Sequence, residues 1–339
     1  MNRAFLPRAL TAGLLTLVMG LMPARAQTLD KVSFGTNWVA EAEHGGFFQA
    51  VADGTYRKYG LDVTIVPGGP NTNNRILLTA GKLDFFMTAN TLQSFDAVTN
   101  NVPVVAVAAI FQKDPQVFLT HPETKFTKLE DLKPLTLFVS KEGVASYFQW
   151  LKSEYGFSES KVKPYTFNSQ PFIVNKQSAM QGYVTSEPYA VEKAAGFKPG
   201  VILLADHGFN AYSTLIETRR EIVDKKPDLV QRFVDASMIG WYNYLYGDNS
   251  AGNAMIKKMN PEMTDELLGY SVTKMKEYGI VDSGDTLRDG IGAMTDARVA
   301  SFFDKMVRAG VVRRDIDYRQ AYTLRFVNKG VGLDLRPKN

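Results

Sequence analysis

The chain has 339 residues, which allows two domains of ordinary size, and its 45% hydrophobic and 22% charged residues are typical of a globular protein. It contains no cysteine, which excludes thiol catalysis, iron–sulfur clusters and zinc sites with cysteine ligands. The net charge of +4 includes Arg3, Arg8 and Arg25; without them 36 basic residues stand against 35 acidic ones, and no basic block predicts nucleic-acid binding.

Residues 1–26 have the pattern of a secretory signal peptide. A positively charged start is followed by 14 uncharged residues at 9–22 and by the cleavage pattern Ala24-Arg25-Ala26. A membrane-spanning helix needs about 20 apolar residues, so this run is too short for an anchor. We therefore expect an exported, periplasmic protein whose mature chain begins at Gln27 and does not insert into the membrane.

From residue 32 the sequence alternates between strand and helix patterns. Strands are predicted at 32–36, 61–66, 83–88 and 104–111, and helices at 45–53, 73–80 and 90–100. This alternation predicts an α/β unit whose sheet is largely parallel. The run at 104–111 is uniformly apolar, as expected for a strand covered on both faces.

The alternation restarts near residue 117. A strand at 117–120 is predicted to cross into a second lobe, and residues 127–130 have the spacing of a helix-starting capping box. Further strands are predicted at 135–139, 162–167, 181–185 and 201–204, and helices at 143–155 and 189–195. A strand at 212–217 is predicted to return to the first lobe.

The rest of the chain is predicted to be helical. Pro227 suits a helix start, and further amphipathic helices are predicted at 264–278 and 296–309. If this tail packs on the first unit, that lobe is discontinuous and comprises 28–115 and 212–339, while 116–211 form the second lobe. The two crossing segments then act as a hinge, with a ligand cleft between the lobes.

The order of several short motifs resembles a known family. They are Trp38, His44-Gly45-Gly46-Phe47-Phe48-Gln49-Ala50, Gly54-Thr55-Tyr56, Gly60-Leu61-Asp62-Val63 and Ala80-Gly81-Lys82-Leu83-Asp84-Phe85. In this order they resemble periplasmic solute-binding proteins of the nitrate, sulfonate and taurine type, and within them the branch related to thiamine-pyrimidine synthesis and transport. The resemblance implies a type II periplasmic binding protein fold and a role in capturing a ligand for an ABC permease of the inner membrane.

Loops at the carboxyl ends of strands line the ligand crevice in open α/β sheets. The ligand-binding candidates are Trp38, His44, Asn90, Thr91, Ser146, Tyr147, Glu187, Tyr189 and Tyr212. The resemblance implies that the Glu-Pro at 187–188 faces the cleft, although the preceding residues 181–185 depart from the family pattern.

Three of these residues have a structural alternative. Trp38 could be a core aromatic, His44 a buried histidine at a helix start, and Glu187 a solvated helix cap. We interpret Glu41 and Glu43 as solvated surface charges.

We expect a binding protein rather than an enzyme, monomeric and without cofactor or metal. The favoured ligand is a flat heteroaromatic molecule, such as a thiamine-pyrimidine precursor, stacked on Trp38. The first alternative is an aliphatic sulfonate, taurine or nitrate. A second alternative is a pyrimidine synthase of the related branch, but that family uses iron and a cysteine-rich segment, and this chain has no cysteine.

The signal-peptide prediction can be tested on the secreted protein. We expect N-terminal sequencing of the periplasmic fraction to begin at Gln27, because the small residues at positions 24 and 26 suit signal peptidase. Recovery of a chain that keeps Met1 in the membrane fraction would contradict the prediction.

Overall fold

The computed structural model describes Met1 and residues 28–69, 72–126 and 128–338. The signal peptide predicted at 1–26, apart from Met1, and Thr127 of the predicted capping box lie outside this part of the chain. No helix within the described ranges is both long and apolar enough to cross a bilayer.

The strands form two mixed sheets. In chain order they are β1 Asp30–Gly35, β2 Leu61–Val66, β3 Phe85–Asn90, β4 Val104–Phe111, β5 Gln116–Thr120, β6 Thr136–Val139, β7 Val162–Pro164, β8 Ser178–Tyr183, β9 Gly200–Leu203 and β10 Ser213–Arg219. The first sheet has the order β2-β1-β3-β10-β4 and the second the order β7-β6-β8-β5-β9.

Helices cover and connect these strands. They are α1 Gly45–Ala52, α2 Thr55–Lys58, α3 Asn74–Thr79, α4 Thr91–Thr99, α5 Lys141–Ala145, α6 Tyr147–Tyr155, α7 Gln170–Val174, α8 Glu187–Ala195, α9 Arg220–Lys225, α10 Pro227–Tyr246, α11 Ser250–Met259, α12 Asp265–Glu277, α13 Thr286–Asp289 and α14 Asp296–Arg308. Short 3-10 turns lie at Ala42–His44, Leu129–Leu132, Glu159–Lys161, Leu204–His207, Tyr318–Ala321 and Leu333–Leu335.

In each sheet one strand runs against the others. β10 pairs antiparallel with β3 and β4, and β5 pairs antiparallel with β8 and β9, whereas β1 pairs parallel with β2 and β3, and β6 with β7 and β8. The chain passes from one sheet to the other between the carboxyl edges that face each other. Each crossing strand therefore runs antiparallel to its neighbours in the sheet that it enters. We propose that the lobes divide directly before β5 and before β10.

Several element boundaries differ from the sequence prediction. The helix predicted at 143–155 is broken at Ser146, whose φ of −122° and ψ of −103° are not helical. The strand predicted at 181–185 ends at Tyr183, and the capped turn after residue 127 begins one residue later, where the Lys128 N–H donates to the Asp131 carboxylate at 3.1 Å. The buried strand β4 is confirmed, and the Asn90 side chain caps α4 by accepting from the Leu92 N–H at 3.1 Å.

The long C-terminal helix α10 packs on the first sheet. Phe233 of α10 stacks on Phe85 of β3 with ring centroids 4.0 Å apart. Where α10 crosses α1, a Cβ on Gly46 would overlap Trp241, and a Cβ on Gly240 would overlap the Gly46 carbonyl. The two glycines therefore allow the helix backbones to approach closely enough to bury the aromatic side chains.

A side chain of helix α14 forms hydrogen bonds with both segments that cross between the sheets. The Arg298 guanidinium donates hydrogen bonds to the carbonyl of Gln112 on the outgoing segment and to the carbonyls of Asn210, at 3.1 Å, and Ala211, at 3.4 Å, on the return segment. It also lies 4.0 Å from the centroid of the Tyr212 ring. One side chain therefore holds the two strands of the hinge at a fixed separation.

A buried ion pair joins three elements of the first lobe. Arg75 of α3 donates to both carboxylate oxygens of Glu217 on β10, at 2.8 and 2.9 Å, and to Thr88 of β3 at 2.9 Å. The Glu217 side chain is fully buried, and Ser94 donates to it at 2.8 Å. Burial raises the pKa of Glu217 while Arg75 lowers it, so the carboxylate depends on its guanidinium partner.

Arg75→Met should destabilise the protein by about 3–5 kcal/mol, because it leaves the Glu217 carboxylate buried without a cation. Adding Glu217→Gln should recover part of the loss. Urea denaturation measures both, with Arg57→Met as the control, because Arg57 forms an ion pair with Asp62 at the surface. Equal stability of the Arg75 and Arg57 variants would contradict the role of the buried pair.

Candidate ligand-binding site

The loop after β1 presents Trp38 at the carboxyl edge of the first sheet. The Trp38 carbonyl accepts hydrogen bonds from the Thr36 hydroxyl at 2.8 Å and from the Gly68 N–H at 3.0 Å. A Cβ on Gly68 would lie 2.6 Å from the Thr36 carbonyl oxygen, so this close approach of two loops requires glycine. The loop is thereby fixed, and the Trp38 indole remains half-buried.

The Trp38 indole meets aromatic rings of the second lobe. Its centroid lies 5.3 Å from that of Phe167, at an interplanar angle of 41°, and Phe167 lies 5.4 Å from Tyr165. Trp38 belongs to the first sheet's edge, whereas Tyr165 and Phe167 follow β7 of the second. The three rings therefore form an apolar contact across the cleft.

Three carboxyl groups from both lobes meet beside these rings. Glu43 is 4% exposed, and its carboxylate accepts a hydrogen bond from the Thr185 hydroxyl of the opposite lobe. Burial raises the pKa of Glu43 to about 7, and the nearby Glu187 adds to the rise. The pKa of half-buried Glu41 is raised well above its usual range by burial and by Glu43 and Glu187.

Glu187 lies at the first turn of α8 and faces the cleft. Its Oε2 accepts hydrogen bonds from the Tyr183 N–H at 2.7 Å and from the Ser186 hydroxyl at 2.6 Å. Burial raises its pKa, and these hydrogen bonds oppose the rise. Ser186 and Tyr183 thus fix the orientation of the Glu187 carboxylate at the start of α8.

A fourth carboxyl group lies at the base of the cleft. Asp114 is 2% exposed, and its two oxygens accept from the Gln116 N–H at 3.0 Å and the Asn90 side-chain amide at 3.1 Å. Burial raises its pKa to about 6. Burial is the main cause that raises the pKa of the Tyr183 phenol, and the charges of Asp114, Glu41, Glu187 and Glu43 raise it further. The phenol therefore lies near these acids.

These four carboxyl groups have no cationic partner. Among the described residues, no lysine or arginine forms an ion pair with Glu41, Glu43, Asp114 or Glu187. Burial without a counter-charge favours the protonated acid, and a ligand with a positive charge or N–H donors would supply what is missing. The described ranges contain no group of three or more His, Cys, Asp or Glu residues able to hold a metal ion.

Three of the other predicted residues use their hydroxyl groups in hydrogen bonds within the protein. Tyr147 is buried in the core of the second lobe, where its hydroxyl donates to Gln181 at 2.9 Å. Thr91 lies beside Asn90, and its hydroxyl donates to the Tyr212 carbonyl at 3.1 Å. Ser146 donates to the Glu142 carbonyl of its own helix at 2.6 Å.

His44, Tyr189 and Tyr212 make structural contacts. The His44 ring bonds to the Val39 carbonyl beneath the Trp38 loop, and burial lowers its pKa to about 3, so it is neutral. Tyr189 packs on Tyr270 of α12 at 5.4 Å. Tyr212 is 1% exposed; its hydroxyl donates to a carboxylate of the tail at 2.9 Å and accepts a backbone N–H at 3.0 Å.

Sequence reasoning missed several residues of the cleft. The interpretation of Glu43 as a solvated charge is wrong, because it is 4% exposed and bonds to Thr185 of the second lobe, whereas Glu41 is half-buried. Phe167 was included in a predicted strand, but β7 ends at Pro164. The available signal was position: Asp114 follows the buried strand β4, and Glu41 and Glu43 follow Trp38 in the loop after β1.

Raising the pH should loosen the closed arrangement. The closed form binds the Glu43 proton more tightly than the open or unfolded chain, so its stabilisation is complete below about pH 4.5 and is lost as the pH rises through about 7. The loss should be on the order of 1–3 kcal/mol. Small-angle scattering should show the radius of gyration increasing from pH 5 to 8.

Glu43→Gln should expand less over that range, because its amide cannot ionise while Glu41, Asp114 and Glu187 still can. Glu142→Gln is the matched control, since Glu142 is an exposed acid of the second lobe. A radius of gyration that changes equally with pH in both variants would contradict the assignment to Glu43.

Comparison with known proteins gives the chain a family. A family model described as NMT1/THI5 like matches residues 41–248. The chain is 23% identical over 318 residues to the riboflavin-binding protein RibY of Chloroflexus aurantiacus, covering 91% of this chain and 89% of RibY.

Solved structures share its fold. The periplasmic aliphatic sulphonate binding protein SsuA from Escherichia coli matches with a TM-score of 0.65 and 13% identity, over 86% of this chain and 91% of SsuA. The desulfurization enzyme DSZB matches with a TM-score of 0.56 and 13% identity, over 90% of this chain and 99% of DSZB. Because the family model spans more than half of the chain, this protein belongs to the NMT1/THI5-like family, on the two-lobed fold of type II periplasmic binding proteins.

Proposed function

We propose that this protein is the substrate-binding component of an ABC importer. It captures a small molecule in the periplasm and delivers it to a permease in the inner membrane. The two sheets joined by a clamped hinge, with polar and aromatic side chains between them, support a capture-and-close role. RibY and SsuA are named for ligand binding, and SsuA as periplasmic, which supports the same role here.

We propose further that the ligand is a flat heteroaromatic molecule with amino or ring N–H donors, neutral or positively charged. The observation that carries this proposal is the combination of a half-buried indole at Trp38 with four carboxyl groups that lack a cation. An aromatic ring gains about 0.5–1.5 kcal/mol from stacking beyond the burial of its area. Carboxylates accept hydrogen bonds from amino groups.

Each side chain then has a distinct role. Trp38 stacks on the ring, and the Glu187 carboxylate, held by Tyr183 and Ser186, accepts an N–H of the ligand. Glu41 and Glu43 supply negative charge or, when protonated, a hydrogen-bond donor. The Tyr183 hydroxyl among these acids can donate to a ring nitrogen. Aminopyrimidines and the isoalloxazine ring of riboflavin both carry such groups on a flat ring.

An anionic ligand fits this charge distribution poorly. A sulfonate or nitrate would place negative charge beside Glu41, Glu43 and Glu187, and in a low-dielectric cleft it would repel each of these acids in its ionised form. No described lysine or arginine pairs with these acids to offset the repulsion. Anion binding is therefore the competing outcome of the ligand screen.

The screen is a thermal-shift assay on the mature protein. It compares 4-amino-5-hydroxymethyl-2-methylpyrimidine, thiamine and riboflavin with taurine, an alkanesulfonate and nitrate. A ligand at about 100 times its Kd adds about 2.7 kcal/mol of apparent stability, which shifts the melting temperature visibly. Stabilisation by the sulfonate or nitrate, and by no flat ring, would contradict the proposed ligand class.

Trp38→Ala should weaken binding of the stabilising ring compound by roughly 2–4 kcal/mol, from lost burial and stacking together. Glu187→Gln should weaken an amino-bearing ligand, because the acceptor loses its charge and one of its two oxygens becomes a donor amide. Calorimetry measures both, with Glu142→Gln as the control for removal of an exposed acid of the same lobe. Unchanged affinity of Trp38→Ala would contradict the stacking role.

A further inference from the structure

Phe167 has an unusual combination of backbone and environment. Its φ of 61° lies in the left-handed region, which is uncommon for a residue other than glycine and disfavoured for a bulky one. Its side chain is 57% exposed, so burial in the core does not compensate for this conformation. Contacts of the ring outside its own lobe must therefore offset the cost of this backbone conformation.

Those contacts point across the cleft. The loop between β7 and α7 carries Phe167 to Trp38 of the first lobe, with 5.3 Å between ring centroids. Tyr165 supports the Phe167 ring from behind at 5.4 Å and is 7% exposed. The Phe167 ring therefore contacts both the indole of Trp38 and the ring of the buried Tyr165.

We propose that Phe167 is the second wall of an aromatic clamp, with Trp38 as the first, and that it determines specificity for flat ligands. The inference rests on the proposed function, because it requires a ring as the ligand. Without ligand, Phe167 occupies the face of Trp38 that the ligand's ring takes over. An aliphatic ligand lacks the two flat, parallel faces that would contact both Trp38 and Phe167.

The geometry sets the size of the movement. A ring in van der Waals contact with both walls needs them about 7 Å apart, since carbon atoms pack at about 3.5–4.0 Å on each side. The two ring centroids are 5.3 Å apart and the rings are tilted by 41° in the structure, so the rings must separate by about 2 Å and turn towards parallel. Rotation of the lobes about the clamped hinge, or a shift of the exposed loop, provides this separation.

Tryptophan fluorescence reports directly on this contact. The chain has three tryptophans; Trp150 and Trp241 are 1% and 0% exposed, and Trp38 is half-buried in the cleft. A change in emission on ligand binding or on replacement of Phe167 therefore reports on the Trp38 environment.

The test uses three variants of the mature protein. Phe167→Asn removes the ring but keeps a residue that tolerates positive φ, Phe167→Ala removes the ring alone, and Phe167→Tyr keeps an aromatic face. Val174→Ala is the control, because Val174 is an apolar residue of the same region that is 77% exposed. The probes are 4-amino-5-hydroxymethyl-2-methylpyrimidine and riboflavin, titrated by tryptophan fluorescence.

We expect Phe167→Asn and Phe167→Ala to weaken binding of the probe by about tenfold or more, and Phe167→Tyr by less than about twofold. The melting temperature of Phe167→Asn should equal or exceed that of the wild type, because the ring is exposed and asparagine relieves the backbone. Without ligand, both ring-deleting variants should shift the Trp38 emission to longer wavelength. A purely structural role would lower the melting temperature and leave the affinity unchanged.

The outcomes separate this inference from the proposed function. If the wild type binds a probe and Phe167→Asn binds it equally well, the clamp is wrong and the proposed ligand class stands. If no probe binds the wild type, the proposed ligand class is wrong and the clamp falls with it. Identical ligand-free emission of the wild type and Phe167→Asn would also overturn the clamp, because it would show that the two rings are not in contact.

Discussion

The structure depends on the fixed spacing of the two segments that cross between the sheets. Arg298 bonds to the carbonyls of Gln112 and of residues 210–211 and stacks on Tyr212, so the crossing strands enter their sheets from one rigid point. Because both sheets present their carboxyl edges to this point, the loops that follow the parallel strands face each other. Asp114, on the outgoing segment, becomes the base of the cleft and bonds to Asn90 at the end of β3.

The closed cleft concentrates acids that the lobes could otherwise leave in water. Glu43 and Thr185 bond across it, and Glu41 and Glu187 add two more carboxyl groups to the same space. Burying these three groups and Asp114 without a counter-ion is unfavourable unless protons or a ligand compensate for the missing positive charge. We propose that the carboxyl groups link closure to protonation and favour a ligand that brings N–H donors, and that Trp38 and Phe167 provide the flat apolar surface for its ring.

Sequence reasoning reached the fold because local patterns carry it. The apolar run of β4 and the helical spacing after Pro227 identify buried elements without any knowledge of their partners. The same reasoning placed Trp38 in the loop after β1, where the structure has it. It failed for Glu43, because a carboxylate near a helix start has the same local pattern whether it faces water or a second lobe. It also failed at Phe167, because its positive φ and its ring contact with Trp38, 129 positions away along the chain, leave no local sequence pattern.

The central claim is that the cleft holds a flat, nitrogen-bearing ring. The most direct measurement is mass spectrometry of the small molecules released by denaturing the protein after isolation from the periplasm of its native host. The account predicts an amino-substituted or N–H-bearing heteroaromatic compound, retained by the wild type and depleted in Trp38→Ala. Release of an alkanesulfonate, taurine or nitrate in equal amounts from both proteins would contradict it.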